Sequence, residues 1–303
     1  MFRCAPISLL ASARDCPAHA RAKCISTTPK TVILSATHKT TILSATLKGN
    51  PSEPGLMAGH DTQTPTDRWQ VLYRRTLAVA VVLALFLLAF ALSRVVFLGI
   101  DGLIGVGEPG TVSRLLAGVL ALQTVGFGVG ALVILARRDD PRGYLRLGRV
   151  DQWTLFYGAA VGLALMLLVV SATGLFHLLD IEPAESAAGA ATDPWFYAVL
   201  FVVSTVVVVP MEEVFFRGIL QRRLEEVWHP AVAIGVASLL FMAIHTSVSV
   251  GSGGELLALA LFFALGIALG VSYYLTENLL VPIIGHAVFN GSQIFVRLLE
   301  VSV

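Results

Sequence analysis

Leu77-Ala-Val-Ala-Val-Val-Leu-Ala-Leu-Phe-Leu-Leu-Ala-Phe-Ala-Leu92 runs for sixteen residues without one polar side chain, and its flanks extend the apolar stretch to Thr76–Ile100. Wound as a helix at ~1.5 Å per residue, such a stretch is about 37 Å long, more than the ~30 Å hydrocarbon core of a bilayer. Six more apolar runs follow, at Leu115–Ala136, Trp153–Leu179, Trp195–Leu220, Pro230–Val250, Leu256–Tyr274 and Leu279–Val296. The expected fold is all-α, a polytopic transmembrane helix bundle of about seven spans, embedded in a lipid bilayer as a multi-pass cell-membrane protein. The 56% hydrophobic and 14% charged composition of the 303 residues agrees, since a soluble globule so composed would expose large apolar patches. High hydrophobicity and a net charge of only +1 exclude disorder for the chain as a whole. No basic stripe with interleaved aromatics occurs, so nucleic acid is not an expected partner.

The chain changes chemistry near residue 57. All four lysines (Lys23, Lys30, Lys39, Lys48) and all three cysteines (Cys4, Cys16, Cys24) lie before residue 50, and residues 57–303 hold 14 arginines and no lysine. Residues 1–56 carry +5 and the remainder −4. The basic, Ser/Thr-rich first part repeats Ile-Leu-Ser-Ala-Thr at 33–37 and 42–46 and lacks apolar periodicity. It is expected to be a disordered leader or an N-terminal extension, with Met57 the start of the working protein. Three spans are expected in 57–189 and four in 190–303.

Lys and Arg favour cytoplasmic loops, so the arginines orient the bundle. Arg68, Arg74 and Arg75 precede the first span, Arg137, Arg138, Arg142, Arg146 and Arg149 follow the second, and Arg217, Arg222 and Arg223 close the fourth. The alternate connections hold Asp101 and Glu108, then Asp180, Glu182, Glu185 and Asp193. The N-terminus is expected in the cytoplasm and, after seven spans, the C-terminus outside. Small residues at helix-packing spacing, Gly126 with Gly130, Gly158 with Gly162 and Gly266 with Gly270, are expected to let helices approach closely.

Ionisable side chains inside such helices are costly and mark candidate functional sites. The fourth span holds Glu212-Glu213-Val-Phe-Phe-Arg217, the fifth Phe241-Met-Ala-Ile-His245 and the seventh His286-Ala-Val-Phe-Asn290. Glu213 and Arg217, at i and i+4, share a face and are expected to pair, while Glu212 points about 100° away and is left for other work. His286 and Asn290 likewise share one face, and Phe241, one turn before His245, is placed to shield it from lipid. Glu212 lies near the inner end of a span closing at Leu220, whereas His245 is 15 residues beyond Pro230. Equal depth therefore leads to the expectation that Glu225 to about Ile234 lies in the interface and that Thr246–Gly254 completes the span. A carboxylate and imidazoles in apolar surroundings suit hydrolysis by an activated water. Ser93, Ser171 and Ser204 have no His or Lys one turn away, so a covalent triad is not expected.

The ordered set Glu-Glu-x-x-x-Arg, Phe-x-x-x-His and His-x-x-x-Asn resembles the CPBP intramembrane proteases, a family that includes the type II CAAX prenyl endopeptidases and bacteriocin-processing and immunity proteins. Every position matches, over roughly residues 190 to 298. The resemblance implies an endopeptidase with its active site within the bundle, acting on a membrane-associated protein or peptide. It implies that Glu212 activates water with His245 assisting, that His286 and Asn290 orient water and stabilise the oxyanion, and that Glu213 and Arg217 hold the site together. Two chemistries stay open. One is a metal-free glutamate mechanism, and the other uses zinc held by Glu212, His245 and His286. The rival readings are a catalytically idle scaffold or immunity-type protein of the same fold, and a proton-coupled transporter, whose paired broken helices the sequence does not display. An Arg-only, Lys-free core points to a GC-rich prokaryotic genome, where prenylated substrates are not expected.

Overall fold

The computed structural model describes residues 65–107, 111–181, 193–245 and 254–302. The expected leader, the Glu182 and Glu185 part of one connection, and residues 246–253 lie outside them. The described residues are helical, without a strand. The helices are α1 (Pro65–Ile104), α2 (Val112–Leu135), the short α3 (Pro141–Tyr144), α4 (Gln152–Leu178), α5 (Pro194–Glu225), α6 (Pro230–Ala243), α7 (Glu255–Thr276) and α8 (Leu280–Ser302). Apart from α3, they correspond one for one with the seven apolar runs. Five of them, α1, α2, α4, α5 and α7, are long and apolar enough to cross a membrane. The 23-residue α8 is diluted by His286, Asn290, Ser292 and Gln293.

The helix starts follow local chemistry. Asp151 caps α4 by accepting the Thr154 amide at 2.8 Å, Asp193 caps α5 through the Trp195 amide at 2.9 Å, and His229 accepts the Ala231 amide at 3.2 Å before Pro230 opens α6. The amide and hydroxyl of Thr154 hold the exposed Asp151 carboxyl below the usual carboxylate range. Within α5 a π-helical segment, Ser204–Val208, ends two residues before Pro210. A proline inside a helix has no N–H to give and crowds the carbonyl four residues back, which a widened turn relieves.

Two expectations about the site-bearing helices are corrected. The fourth helix does not close at Leu220 but runs to Glu225, because Gln221, Arg222, Arg223 and Leu224 continue it past the end of its apolar run. Arg217 therefore lies deep inside the helix, 1% exposed, and is not a loop arginine. Glu225 to Ile234 is not a separate piece between α5 and α6 either, since Val227–His229 form a tight turn and α6 starts at Pro230. Glu212 then lies thirteen residues before Glu225, His245 fifteen after Pro230 and Gln123 twelve before Leu135, which at ~1.5 Å per residue puts all three about 18–22 Å from one end of the bundle. The depth conflict vanishes without a shifted span. His245 follows the last turn of α6, which ends at Ala243 and so is shorter than the expected run to Val250.

The arginine-bearing connections meet at that end. Arg75 donates to the Val227 carbonyl at 3.3 Å, Arg138 pairs with Glu226 at 3.0 Å, Arg222 donates to the Tyr144 carbonyl at 3.2 Å, and Arg146 lies 3.7 Å from Glu277. Tyr144 lies beneath Arg138, whose guanidinium is 3.9 Å from the ring centre, and burial pushes its phenol above the usual range. Asp101, 26 residues along α1 from Arg75 or about 39 Å away, marks the other end, where it pairs with Arg114 at 2.8 Å.

Candidate active site

The expected i, i+4 pair is present. Arg217 Nη1 donates to Glu213 Oε1 at 2.9 Å, and Nη2 donates to the Gly266 carbonyl of α7 at 3.2 Å. Glu213 is 0% exposed. The guanidinium also lies over the Phe241 ring, 4.5 Å from its centre. A buried arginine without such partners would carry a large desolvation cost, so carboxylate, carbonyl and aromatic face together account for its position.

His286 arrives from α8 and joins both glutamates. Its Nδ1 is 2.8 Å from Glu213 Oε1, and its Nε2 is 4.0 Å from Glu212 Oε2. Since the carboxylate accepts, Nδ1 carries the hydrogen, and Nε2 is the ring atom turned towards Glu212. Glu212, 5% exposed, receives a second contact that the sequence did not announce: Gln123 Nε2 of α2 donates to its Oε1 at 2.8 Å. The Gln123 amide, beside Thr124 in the middle of a largely apolar span, is the signal in the sequence that singles it out.

His245 is half-buried at the end of α6. Its Nδ1 donates to the Phe241 carbonyl at 2.9 Å, its ring stacks on Phe262 of α7 with centres 4.1 Å apart, and it stays within coulombic reach of Glu212 and His286. Phe241, 2% exposed, fills the space between the rings of His245 and His286, at 4.8 and 5.9 Å. Asn290, one turn beyond His286, points its Nδ2 at Ser204 Oγ across 3.5 Å, a weak contact that leaves the amide available. The six candidate residues thus lie on α5, α8 and the end of α6 as one neighbourhood. Glu212, Glu213, Arg217 and His286 are linked side chain to side chain, with Gln123 added from α2. His245 and Asn290 flank that network without a direct bond to it.

Among the described residues no group of three His, Cys, Asp or Glu side chains is arranged to hold a metal ion. His286 and His245 each give Nδ1 to an oxygen acceptor, Glu213 and the Phe241 carbonyl respectively, and His245 is further held by stacking on Phe262.

Residues 194–292 match the family model for type II CAAX prenyl endopeptidase Rce1-like proteins, in agreement with the CPBP resemblance. The match spans α5 to the middle of α8 and includes all six candidate residues. At family level it supports an intramembrane CAAX-type endopeptidase. Neither a search of curated proteins nor one of solved structures gives a match.

Proposed function

We propose that this protein is an intramembrane endopeptidase in which Glu212 activates the attacking water. The observation that carries the reading is the buried polar network around Glu212, built from α2, α5 and α8 inside an otherwise apolar bundle. Retaining so many buried polar groups is costly in a structure that needs only to pack.

The donors and acceptors suggest the steps. A water near Glu212 Oε2 and His286 Nε2 meets two acceptors, so both its protons are held and its oxygen lone pair is presented outward. Glu212 takes one proton as the oxygen bonds to the scissile carbonyl carbon. The carbonyl oxygen becomes an oxyanion, which needs donors, and Asn290 Nδ2, held only by its long contact to Ser204, is assigned that role. As the tetrahedral intermediate collapses, the carbon–nitrogen bond breaks and the proton held by Glu212 passes to the leaving amine. His245, its Nδ1 anchored on the Phe241 carbonyl, assists through Nε2. Glu213 and Arg217 fix His286 in position, and no step requires a metal.

The test is hydrolysis by purified protein in proteoliposomes of two membrane-anchored fluorogenic peptides, one carrying a prenylated CAAX tail and one unprenylated. Wild type is expected to cleave at least one of them, and Glu212→Gln, which keeps shape and removes the base, is expected to abolish cleavage while melting normally. Wild-type turnover by Glu212→Gln would end this reading.

A further inference from the structure

We infer that Gln123 is a positioning residue for Glu212, supplied by the N-terminal helices from outside the segment that matches the protease family. The inference rests on the reading of Glu212 as the base. Gln123 is 3% exposed, its Nε2 donates to Glu212 Oε1 at 2.8 Å, and its own Oε1 is buried without a hydrogen-bond partner. The amide therefore satisfies no structural need except through Glu212. A leucine here would pack in the bundle without burying an unpaired acceptor.

The surrounding helix fixes where the amide points. Gln123 lies in the π-helical segment Ala121–Phe127 of α2. A Cβ on Gly126 would come within 2.7 Å of the Ala89 carbonyl oxygen, so α1 closes directly against the backbone of this segment. Phe127 stacks on Phe215 of α5 with ring centres 4.4 Å apart, and Gly130 makes room for the same Phe215 ring. The α2–α5 contact is thus set on either side of the amide by close packing, and the Gln123 donor reaches Glu212 from a rigid support.

The chemical consequence lies in carboxylate orientation. The terminal torsion of a glutamate is soft, and a free carboxylate presents its oxygens over a broad range of angles. One donor fixed on Oε1 halts that rotation and leaves Oε2, the oxygen on the His286 side, as the atom that meets water. Gln123 touches neither water nor substrate in this arrangement and acts through Glu212 alone.

The experiment uses the full-length protein in proteoliposomes with the same two fluorogenic peptides. Gln123→Met keeps length and volume and removes the donor. It is expected to lower kcat by roughly tenfold to a hundredfold, the scale of a misplaced catalytic group, with KM unchanged. Melting of the single variants Gln123→Met and Glu212→Met and of the double variant forms a cycle that needs no substrate, and the effects are expected to be clearly non-additive because the two side chains share one contact. If Gln123→Met fails to fold, Gln123→Leu takes its place in both arms. Additive melting effects, unchanged kcat, or activity that falls only in step with the folded fraction would each overturn the inference. A dead Glu212→Gln beside a fully active Gln123→Met removes only the role of Gln123, whereas an active Glu212→Gln removes the underlying reading as well.

Discussion

Glu213 is the residue on which the site's rigidity turns, because a single carboxylate oxygen receives both Arg217 Nη1 and His286 Nδ1. Arg217→Ala strips that carboxylate of its cation and the Gly266 carbonyl of a donor, and removal of one partner from a buried ion pair costs on the order of 3 to 5 kcal/mol. Arg217→Ala is therefore expected to lower both the melting temperature and turnover. Adding Glu213→Gln is expected to restore part of the stability, since it deletes the stranded charge, without restoring full turnover. A normally melting Arg217→Ala would show that the pair is dispensable. Asn290→Ala makes the opposite prediction. Its amide has only the long Ser204 contact, so kcat is expected to fall with little change in melting. The Glu213–Arg217 pair was legible in the sequence because both partners sit on one helix face at i, i+4, where geometry needs no tertiary knowledge. The bonds Gln123 to Glu212 and His286 to Glu213 join residues 89 and 73 positions apart, and no local period encodes which helix faces which.

Among the described residues three π-helical segments, Ala121–Phe127, Ser204–Val208 and Val214–Gln221, hold Gln123, Ser204 and Arg217 respectively, so each wide turn contributes a buried polar group at or beside the site. A π turn rotates the residues after it relative to a regular helix, and such turns gather at functional sites. That register shift is invisible to a 3.6-residue reading, as is the end of α5, because hydropathy records where apolar residues stop rather than where the helix does. The glycine pairs, by contrast, were readable as contacts. A Cβ on Gly162 would lie 2.8 Å from Val288 and 3.0 Å from the Gly285 carbonyl, against the α8 turn that carries His286. Gly162→Ala is expected to cost about 1 to 3 kcal/mol by overpacking and to lower kcat by displacing His286. Gly174, on the same helix with nothing within 4 Å of its would-be Cβ, supplies the contrast. Gly174→Ala is expected to raise stability by about 0.5 to 1 kcal/mol by removing backbone freedom from the unfolded chain, with turnover unchanged. Melting and turnover of the two variants, measured side by side, check both expectations, and equal effects would sink the packing argument.

For the whole molecule, charge and topology make one argument. The α1 start, the α2–α4 connection, the α5–α6 turn and the α7–α8 turn are tied together by Arg75, Arg138, Arg146 and Arg222, so the basic connections share one end of the bundle. At the far end Arg114 is matched by Asp101 and adds no net positive charge there. Hydropathy made this alternation legible from sequence, since apolar runs and charged connections are local features, whereas the cross-bundle partners of each arginine are set by how the ends fold over one another. Basic connections favour the cytoplasm, so Arg142, exposed in α3, is expected inside and position 185 outside. In a background with Cys4, Cys16 and Cys24 changed to Ser, a cysteine at Arg142 is expected to resist a membrane-impermeant maleimide in intact cells and to react after permeabilisation. A cysteine at Glu185 is expected to react in intact cells. Each result checks the other, because α4 alone separates the two positions and a single crossing must place them on opposite faces. If both label from the same side, α4 does not cross and the seven-span topology fails. If they label on opposite sides but in the reverse sense, the bundle stands and the arginine rule has given its orientation wrongly.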